Sequence, residues 1–506
     1  MGSLHVRHQK DPETKEFEMG SAISDTPAIM EMPREAASVP GFLLPSVAQL
    51  SLARVARGLF RLFLLLIAAR LLGPEKFGVY ALLLAVGEIL SFISGGGFPD
   101  YLTREAAKNP GSAYQCGRRL TQLRFLYLAA LIAIAWPTLR LLGYSSPVVA
   151  NIVLFSLSLF PRAVAESGKA LLRAAHCFTR FLVLELLEGI VLVCTSVLLL
   201  GRGAGLRGLI WAEIISGVMV AALSVRMISQ LFIRKRGPSF PWRKVVRDTI
   251  TFNVYPIVVN IYDRVDVVLL SKLAGSIAAG LYMIPYRILP MLQVLPYGLM
   301  GVLLPMLSAP GGRHKEKDKC AQAMGVLYAA ALFMILETML LADFGTRLVL
   351  GNKYQGSVLI LKILIWATVP MFLNNVLNTF LLARDQEKLL VRTASVCMLI
   401  NIGANLLLIP RFSYLGAAAV TILTELVLFG QNMTLMRRMF GFVPLPPNML
   451  TASWSFVLIL ATALFLSRWV PSIVMAPAAA VGFGLCLYFG GTVHFSGLVK
   501  RAAPQA

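Results

Sequence analysis

Residues 70–80 read RLLGPEKFGVY, and residues 272–282 read KLAGSIAAGLY. Each copy begins with a basic residue, has glycine at its fourth and ninth positions, and ends with tyrosine. Each copy also joins one long apolar run to the next. The chain therefore contains an internal repeat, and the nature of the flanking runs decides the fold class.

The flanking runs are typical of membrane-spanning helices. The 506-residue chain is 57% hydrophobic and 14% charged, with a mean hydropathy of +0.73, whereas soluble domains are about 45–50% apolar and about 25% charged. Apolar runs of about 20 residues recur along nearly the whole length. Backbone groups in lipid must find hydrogen-bond partners within their own segment, so these runs are helices. The sequence predicts an all-α polytopic membrane protein.

Fourteen runs are predicted to be transmembrane helices. They cover residues 44–71, 77–99, 121–142, 148–170, 180–200, 205–227, 249–273, 279–307, 321–345, 355–382, 390–410, 413–436, 449–470 and 472–494. The repeat recurs six helices later with the same topology, which predicts two pseudo-symmetric six-helix bundles. The predicted domains are a disordered cytoplasmic tail (1–40), an N-terminal six-helix lobe (41–236), a C-terminal six-helix lobe (249–438) and two additional C-terminal helices (449–494).

The basic residues predict the orientation. The chain has 47 Lys and Arg against 25 Asp and Glu, a net charge of +22. Strongly basic connections such as TREAAKNPGSAYQCGRR and IRKRGPSFPWRKVVR alternate with weakly charged ones such as GPEKF and PRFSY. The positive-inside rule then places both termini in the cytoplasm. Orientation and contact with membrane lipids explain most of the excess charge. No basic soluble domain is visible, so a nucleic-acid partner is not expected.

Three stretches carry a resemblance: RGLFRLFLLLIAARLLGPEKFGVYAL (57–82), YDRVDVVLLSKLAGSIAAGLYMIPYRIL (262–289) and ANLLLIPRFSYLGAAAVTILTELV (404–427). They resemble the bacterial polysaccharide-biosynthesis flippases, the O-antigen-type lipid-linked oligosaccharide translocases of the multidrug/oligosaccharidyl-lipid/polysaccharide exporter superfamily. The resemblance implies two six-helix lobes forming a V around a central cavity, and alternating access.

The same resemblance implies a cargo and a location. The cargo would be an undecaprenyl-type, polyprenyl-pyrophosphate-linked oligosaccharide, flipped from the inner to the outer leaflet for surface polysaccharide biosynthesis. The location would be the bacterial inner (cytoplasmic) membrane, and the polysaccharide polymerase machinery would be a protein partner.

Charges interrupt the seventh predicted helix in the stretch NIYDRVDVVLLSKL (260–273). A charged side chain at mid-membrane is costly and marks a pathway or a partner. At about 100° per residue, Asn260, Asp263 and Arg264 share one stripe of this helix, and Asp266 lies on a neighbouring face. Arg264 and Asn260 are therefore predicted to line the cavity and to bind the pyrophosphate or the glycan.

Other arginines occur on the first and eighth predicted helices. Arg54, Arg57 and Arg61 lie on one narrow face of the first helix, and Arg287 stands within the eighth. Guanidinium groups offer fork-shaped donors that match phosphate oxygens. Because the first and seventh helices begin the two repeats, basic residues on both predict a cationic pyrophosphate site on the pseudo-twofold axis. Alternatively, Arg54 and Arg57 lie at the cytoplasmic interface and extend toward the headgroups.

Four carboxylates are candidates for coupling or for charge pairing. Glu88 and Glu166 lie in apolar stretches, where a coupled transporter would need an acid that exchanges a proton or holds Na⁺. Alternatively, these two side chains join helices through hydrogen bonds. Asp263 or Asp266 would alternatively neutralise Arg264 or Arg287 and hold two helices together. The coupling ion, H⁺ or Na⁺, stays open. The six cysteines and five histidines show no metal-binding spacing, so neither a metal nor another cofactor is expected.

Three other functions are compatible with parts of the pattern. A lipid II flippase for peptidoglycan shares the fourteen-helix plan and the basic cavity. A drug/cation antiporter of the same superfamily would have an acidic cavity and twelve spans, whereas this chain offers arginines and fourteen. A membrane-embedded glycan-processing enzyme would need catalytic acids or bases on sizeable loops. The predicted outer loops are short and almost free of carboxylates and histidines, so an enzyme is not expected.

Overall fold

The structure, a computed structural model, describes residues 40–231, 242–308, 312–446, 448–467 and 469–489. The regular secondary structure of these residues is helical. Residues 1–39 of the predicted tail, residues 232–241 of the longest predicted connection and residues 490–494 of the last predicted helix lie outside the described residues.

Among the described residues, seven α-helices precede the longest connection and form the first half. They are α1 (Pro40–Ile93), α2 (Phe98–Lys108), α3 (Ala113–Leu141), α4 (Ser146–Ser156), α5 (Leu159–Ala174), α6 (Phe178–Gly201) and α7 (Gly205–Leu231). Within this half α5 packs against α2, α3 and α7, and α6 packs along α7.

Nine α-helices follow in the part of the chain that the structure describes. The second half comprises α8 (Trp242–Leu273), α9 (Gly275–Leu292), α10 (Val294–Ser308), α11 (Arg313–Leu350), α12 (Gln355–Leu364), α13 (Thr368–Ala383) and α14 (Glu387–Leu435). The last two helices are α15 (Met449–Leu466) and α16 (Ser472–Phe489). α8 packs along α14, α13 packs between α11 and α14, and α15 and α16 both pack against α11.

Two of these helices are interrupted where the sequence predicts a connection. In α1, Gly73 has φ 74° and ψ 169° and is followed by Pro74. In α14, Ser413 has φ 52° and ψ −134° and follows Pro410 by three residues. Glycine adopts positive φ readily, and proline lacks the amide that would continue a helix. The predicted connections GPEKF and PRFSY thus correspond to breaks inside α1 and α14.

Ten helical stretches of the described residues are long and apolar enough to cross a membrane, and a shorter apolar helix covers Ser472–Tyr488. Two of the ten, Ala48–Lys108 and Glu387–Phe440, have 61 and 54 residues and contain the two breaks. Apolar side chains such as Leu407 and Leu450 are 72% and 76% exposed, as expected for a surface that meets lipid. The predicted all-α polytopic membrane protein is confirmed, and the number fourteen stays a prediction.

The two copies of the repeat pack against each other through glycine. A Cβ on Gly78 would stand 1.7 Å from the carbonyl oxygen of Ser276, and a Cβ on Gly280 would stand 2.1 Å from that of Pro74. Only glycine permits so close a backbone approach. At the same end, the Tyr354 hydroxyl donates to a carbonyl oxygen of the first half at 2.9 Å. The halves are therefore joined at the end that the orientation rule predicts to lie outside.

Candidate functional site

Three cavities in the described part of the chain share walls formed by α1 and α8. The second-half cavity, of about 610 Å³, is lined by α8, α9, α10, α13 and α14. The first-half cavity, of about 570 Å³, is lined mainly by α1, α5 and α8. The side cavity, of about 370 Å³, is lined by α1, α9 and α10. Asp263 and Arg264 face the first two cavities, and Arg57, Arg61 and Glu88 face the last two. These side chains form the walls that the cavities share.

Glu88 of α1 lies between two arginines of the second half. Arg287 Nη2 donates to Glu88 Oε1 at 2.7 Å, and Arg264 Nε donates to Glu88 Oε2. Arg264 Nη1 donates to the carbonyl oxygen of Asp263 at 3.1 Å. Arg287 Nε is buried and has no hydrogen-bond partner in the described part of the chain. One carboxylate therefore bridges two cations from α8 and α9 and leaves one of their donors unsatisfied.

The arginines predicted on the first helix are also paired. Arg57 Nε donates to Glu185 Oε2 at 2.6 Å. Lys169 Nζ lies 3.0 Å from Glu185 Oε1 and also pairs with Glu188. The Glu185 side chain is fully buried, so its charge depends on these two cations. Arg57 thus reaches the cavity as part of an ion-pair network rather than as a free cation.

A second part of this network surrounds Glu213. Arg61 Nη1 lies 3.1 Å from Glu213 Oε1, and Arg162 Nη2 lies 3.3 Å from Glu213 Oε2. Glu166, predicted as a coupling candidate, pairs with Arg124. The first-half cavity is therefore lined by charges of both signs, where the sequence predicted a mainly cationic surface.

The remaining predicted residues occupy different places. Arg54 lines the side cavity. Asn260 lines the first-half cavity, and its Oδ1 is buried without a hydrogen-bond partner among the residues described. Asp263 lines two cavities, whereas Asp266 is 1% exposed. The pairing with Arg264 and Arg287 that the sequence offered to these aspartates is made by Glu88 of α1, whose two carboxylate oxygens each accept a hydrogen bond from one of the arginines.

Two buried carboxylates of the second half, Asp266 and Glu425, are held by neutral groups. The Tyr282 hydroxyl donates to Asp266 Oδ2 at 2.7 Å. The Tyr262 hydroxyl donates to Glu425 Oε1 at 3.0 Å, and Asn374 Nδ2 donates to Glu425 Oε2 at 3.2 Å. Within the described ranges, no group of three or more His, Cys, Asp or Glu side chains is placed to hold a metal ion.

Three cations of the network were missed by the sequence reasoning: Arg124, Arg162 and Lys169. A signal for two of them was present. Arg162, Glu166 and Lys169 recur at spacings of four and three on α5, which puts them on one face of that helix. A charged face on a helix in an apolar chain indicates a polar cavity beside it. Nothing in the spacing identified the acidic partners on α6 and α7.

Comparison with known proteins gives one family match. A family model described as “Polysaccharide biosynthesis protein” matches residues 67–359, more than half of the chain. A relative from Haloferax volcanii, “Probable low-salt glycan biosynthesis flippase Agl15”, is 21% identical over 365 residues, which cover 70% of this chain and 75% of the relative.

Solved structures share the fold. One described as “Lipid II flippase MurJ, inward closed conformation” has a TM-score of 0.67 at 14% identity, covering 87% of this chain and 98% of that one. Another is the inward-facing conformation of a multidrug resistance MATE family transporter of the MOP superfamily. It has a TM-score of 0.64 at 14% identity, covering 77% of this chain and 94% of that one. At such identities the likeness concerns the fold alone.

Proposed function

The chain belongs to the polysaccharide biosynthesis protein family, and from this premise we propose that it flips a polyprenyl-pyrophosphate-linked oligosaccharide. It is a multi-pass membrane flippase and not an enzyme. The proposed direction is from the inner to the outer leaflet of the bacterial cytoplasmic membrane. The proposed mechanism is alternating access, in which the cavities open first to one side and then to the other.

One observation carries this proposal: Arg264, which lines the first-half and second-half cavities, and Arg287, which lines the side cavity, converge on Glu88. Their guanidinium groups are largely withdrawn from solvent, with side chains 13% and 17% exposed. Two guanidiniums side by side offer several donors to the oxygens of one diphosphate, and such charge-assisted bonds are stronger away from water. We assign the pyrophosphate to this pair.

Four further predicted residues have supporting roles in the proposal. Arg54, Arg57 and Arg61 line the side cavity, where they would attract the diphosphate on its way to the arginine pair. Asn260 presents a buried amide oxygen without a partner among the described residues. A hydroxyl of the glycan is a donor that would satisfy it.

The proposed arrangement follows the repeat. Fourteen spans would divide into an N-terminal lobe (41–236), a C-terminal lobe (249–438) and two further helices (449–494), with both termini in the cytoplasm. Support comes from the packing of Gly78 against Gly280, which relates the two copies of the repeat. The polysaccharide polymerase machinery would receive the flipped product.

Coupling to H⁺ or Na⁺ would need a carboxylate whose charge can change. Glu88 and Glu166 are already paired with arginines. Asp263 lines the cavities, and Asp266 accepts hydrogen bonds only from neutral groups in the described residues. We therefore propose Asp266 as the first coupling candidate and Asp263 as the second.

The proposal is tested by deleting the gene in its host and measuring lipid-linked saccharides by mass spectrometry, together with the surface polysaccharide. We expect one polyprenyl-pyrophosphate glycan to accumulate and one surface polymer to be lost. Re-expression of the wild type should reverse both changes, and Arg287→Ala should not. Arg140→Ala is the matched control, because Arg140 is exposed at the end of α3 and lines none of the three cavities.

Two other outcomes would assign different functions. Accumulation of the peptidoglycan precursor would identify a lipid II flippase. An unchanged lipid pool with new sensitivity to cationic drugs would contradict glycan transport and identify an antiporter.

A further inference from the structure

Glu88 occupies the place that the proposed diphosphate would take. Its two oxygens each accept a hydrogen bond from a different arginine, Oε1 from Arg287 at 2.7 Å and Oε2 from Arg264. We infer that Glu88 is an internal stand-in for the phosphate, and that a diphosphate headgroup displaces it from the two arginines. This inference rests on the proposed function. It adds that Glu88 controls both the affinity for the diphosphate and the separation of the two halves.

A carboxylate satisfies the two guanidiniums incompletely. Arg287 Nε is buried and has no hydrogen-bond partner in the described part of the chain. Glu88 offers two oxygens and one negative charge to two positive charges, whereas a diphosphate offers more oxygens and more charge. Asp263 also lines the first-half and second-half cavities, but the hydrogen bond that Arg264 donates to it goes to its backbone carbonyl oxygen. Arg61 is already paired with Glu213. When a diphosphate replaces the carboxylate, one of its oxygens can therefore accept the hydrogen bond that Arg287 Nε does not donate to Glu88.

The Glu88 bridge also connects the two halves of the repeat. Glu88 belongs to α1, and both arginines belong to the second half. While the bridge is intact, motion that parts α1 from α8 and α9 must separate partly buried opposite charges, which is unfavourable. Once a diphosphate holds the arginines, Glu88 no longer joins them to α1. The ligand thus binds more tightly to the state in which the halves are no longer joined by Glu88. A ligand drives a conformational change only if it binds one state more tightly than the other.

Glu88→Gln tests this inference in the purified full-length protein in nanodiscs. The probes are inorganic pyrophosphate, which tests the free anion, and undecaprenyl pyrophosphate, which tests the lipid headgroup. The glutamine keeps the shape of the side chain and removes its charge, so we expect both probes to bind about tenfold more tightly or better. A damaged fold would weaken binding, so a gain in affinity separates competition from a structural role.

Three further variants make the comparison specific. Glu316→Gln removes a carboxylate that pairs with Arg384 outside the three cavities, and it should bind the probes as the wild type does. Glu88→Asp restores the charge and should return affinity toward the wild-type value. A third variant, Glu88→Gln with Arg264→Gln and Arg287→Gln, should lose the gain.

Spin labels report the release of the halves. Lys108 and Lys388 are exposed, one in each half, and both are replaced by cysteine in a background without the native thiols. Pyrophosphate should change the distance distribution of the otherwise unaltered protein, and Glu88→Gln should produce part of this change without ligand. Glu316→Gln should not.

The possible results are distinct. Equal affinity of wild type and Glu88→Gln would overturn the stand-in role and leave the diphosphate site intact. Absence of binding to both proteins would overturn the diphosphate site, and the displacement with it. Tighter binding without any change in the label distances would overturn the release of the halves.

Discussion

In the first half of the molecule the buried carboxylate of Glu185 faces cations, whereas in the second half the buried carboxylate of Glu425 faces neutral donors. Glu185 forms ion pairs with Arg57 and Lys169. Glu425 accepts hydrogen bonds from the hydroxyl of Tyr262 and the side-chain amide of Asn374. Both carboxylates are withdrawn from solvent, so the difference lies in their partners and not in their burial.

The two ways of burying a carboxylate have different consequences. Removing one member of a buried ion pair leaves an uncompensated charge, which is strongly destabilising. A carboxylate held by neutral donors takes up a proton or a cation without leaving an opposite charge unpaired. We therefore expect the first half to keep its charges fixed, and the second half to be the place where charge changes during transport.

Lys169→Met is expected to have the largest effect, a loss of about 3–5 kcal/mol of unfolding free energy. Lys169 is only 6% exposed and holds both Glu185 and Glu188. Methionine fills a similar volume but leaves these carboxylates with one cation fewer. The measurement is a denaturant titration of the purified protein in mixed micelles.

Two controls accompany the lysine variant. Lys169→Arg keeps the positive charge and should recover most of the loss. Lys388→Met removes an exposed lysine from the start of α14 and should change stability by less than about 0.5 kcal/mol. A loss of under about 1 kcal/mol for Lys169→Met would contradict the idea that these ion pairs hold the first half together.

The same substitution at equivalent glycines in the two copies of the repeat should have the same effect. Gly78→Ala and Gly280→Ala each place a methyl group against a backbone carbonyl of the other copy, and overpacking of this kind costs about 1–3 kcal/mol. Both should therefore favour the state in which this end is open. The measurement is labelling of a cysteine at Val259, which lines two cavities, by an impermeant thiol reagent added outside.

Gly298→Ala is the matched control for the glycine pair, because a Cβ there would meet no atom within 4 Å. It should leave the labelling rate unchanged, whereas either repeat variant should raise it about tenfold. Opposite effects of Gly78→Ala and Gly280→Ala would show that the copies do not close the same end.

Much of the fold was predictable because lipid imposes simple rules. Length and hydropathy located the apolar helices, and the connections predicted at GPEKF and PRFSY coincide with the breaks at Gly73 and Ser413. Helix type follows from the need to satisfy backbone groups within each segment. The same rules say little about which helices touch, because every lipid-facing surface is equally apolar.

For the site, the sequence predicted which residues share a face of one helix, but not which residues pair between helices. Helical spacing placed Asp263 and Arg264 on one face of α8, and both line cavities. Spacing cannot show that the partner of Arg264 is Glu88, which lies 176 residues earlier. Pairing between helices depends on packing across the bundle, and a single sequence carries no direct signal of it.

Tyr262→Phe should have the smallest effect, a loss of about 1 kcal/mol. The change removes one of the hydrogen bonds to Glu425 but leaves that from Asn374, and no charge loses its partner. Tyr297→Phe removes the same hydroxyl from a side chain that is 59% exposed, and should be close to neutral in the same denaturant titration. If Tyr262→Phe destabilises the protein as much as Lys169→Met, the carboxylates of the two halves are held with equal rigidity. The charge of Glu425 would then be as fixed as that of Glu185. That result would contradict the expectation that charge changes in the second half during transport.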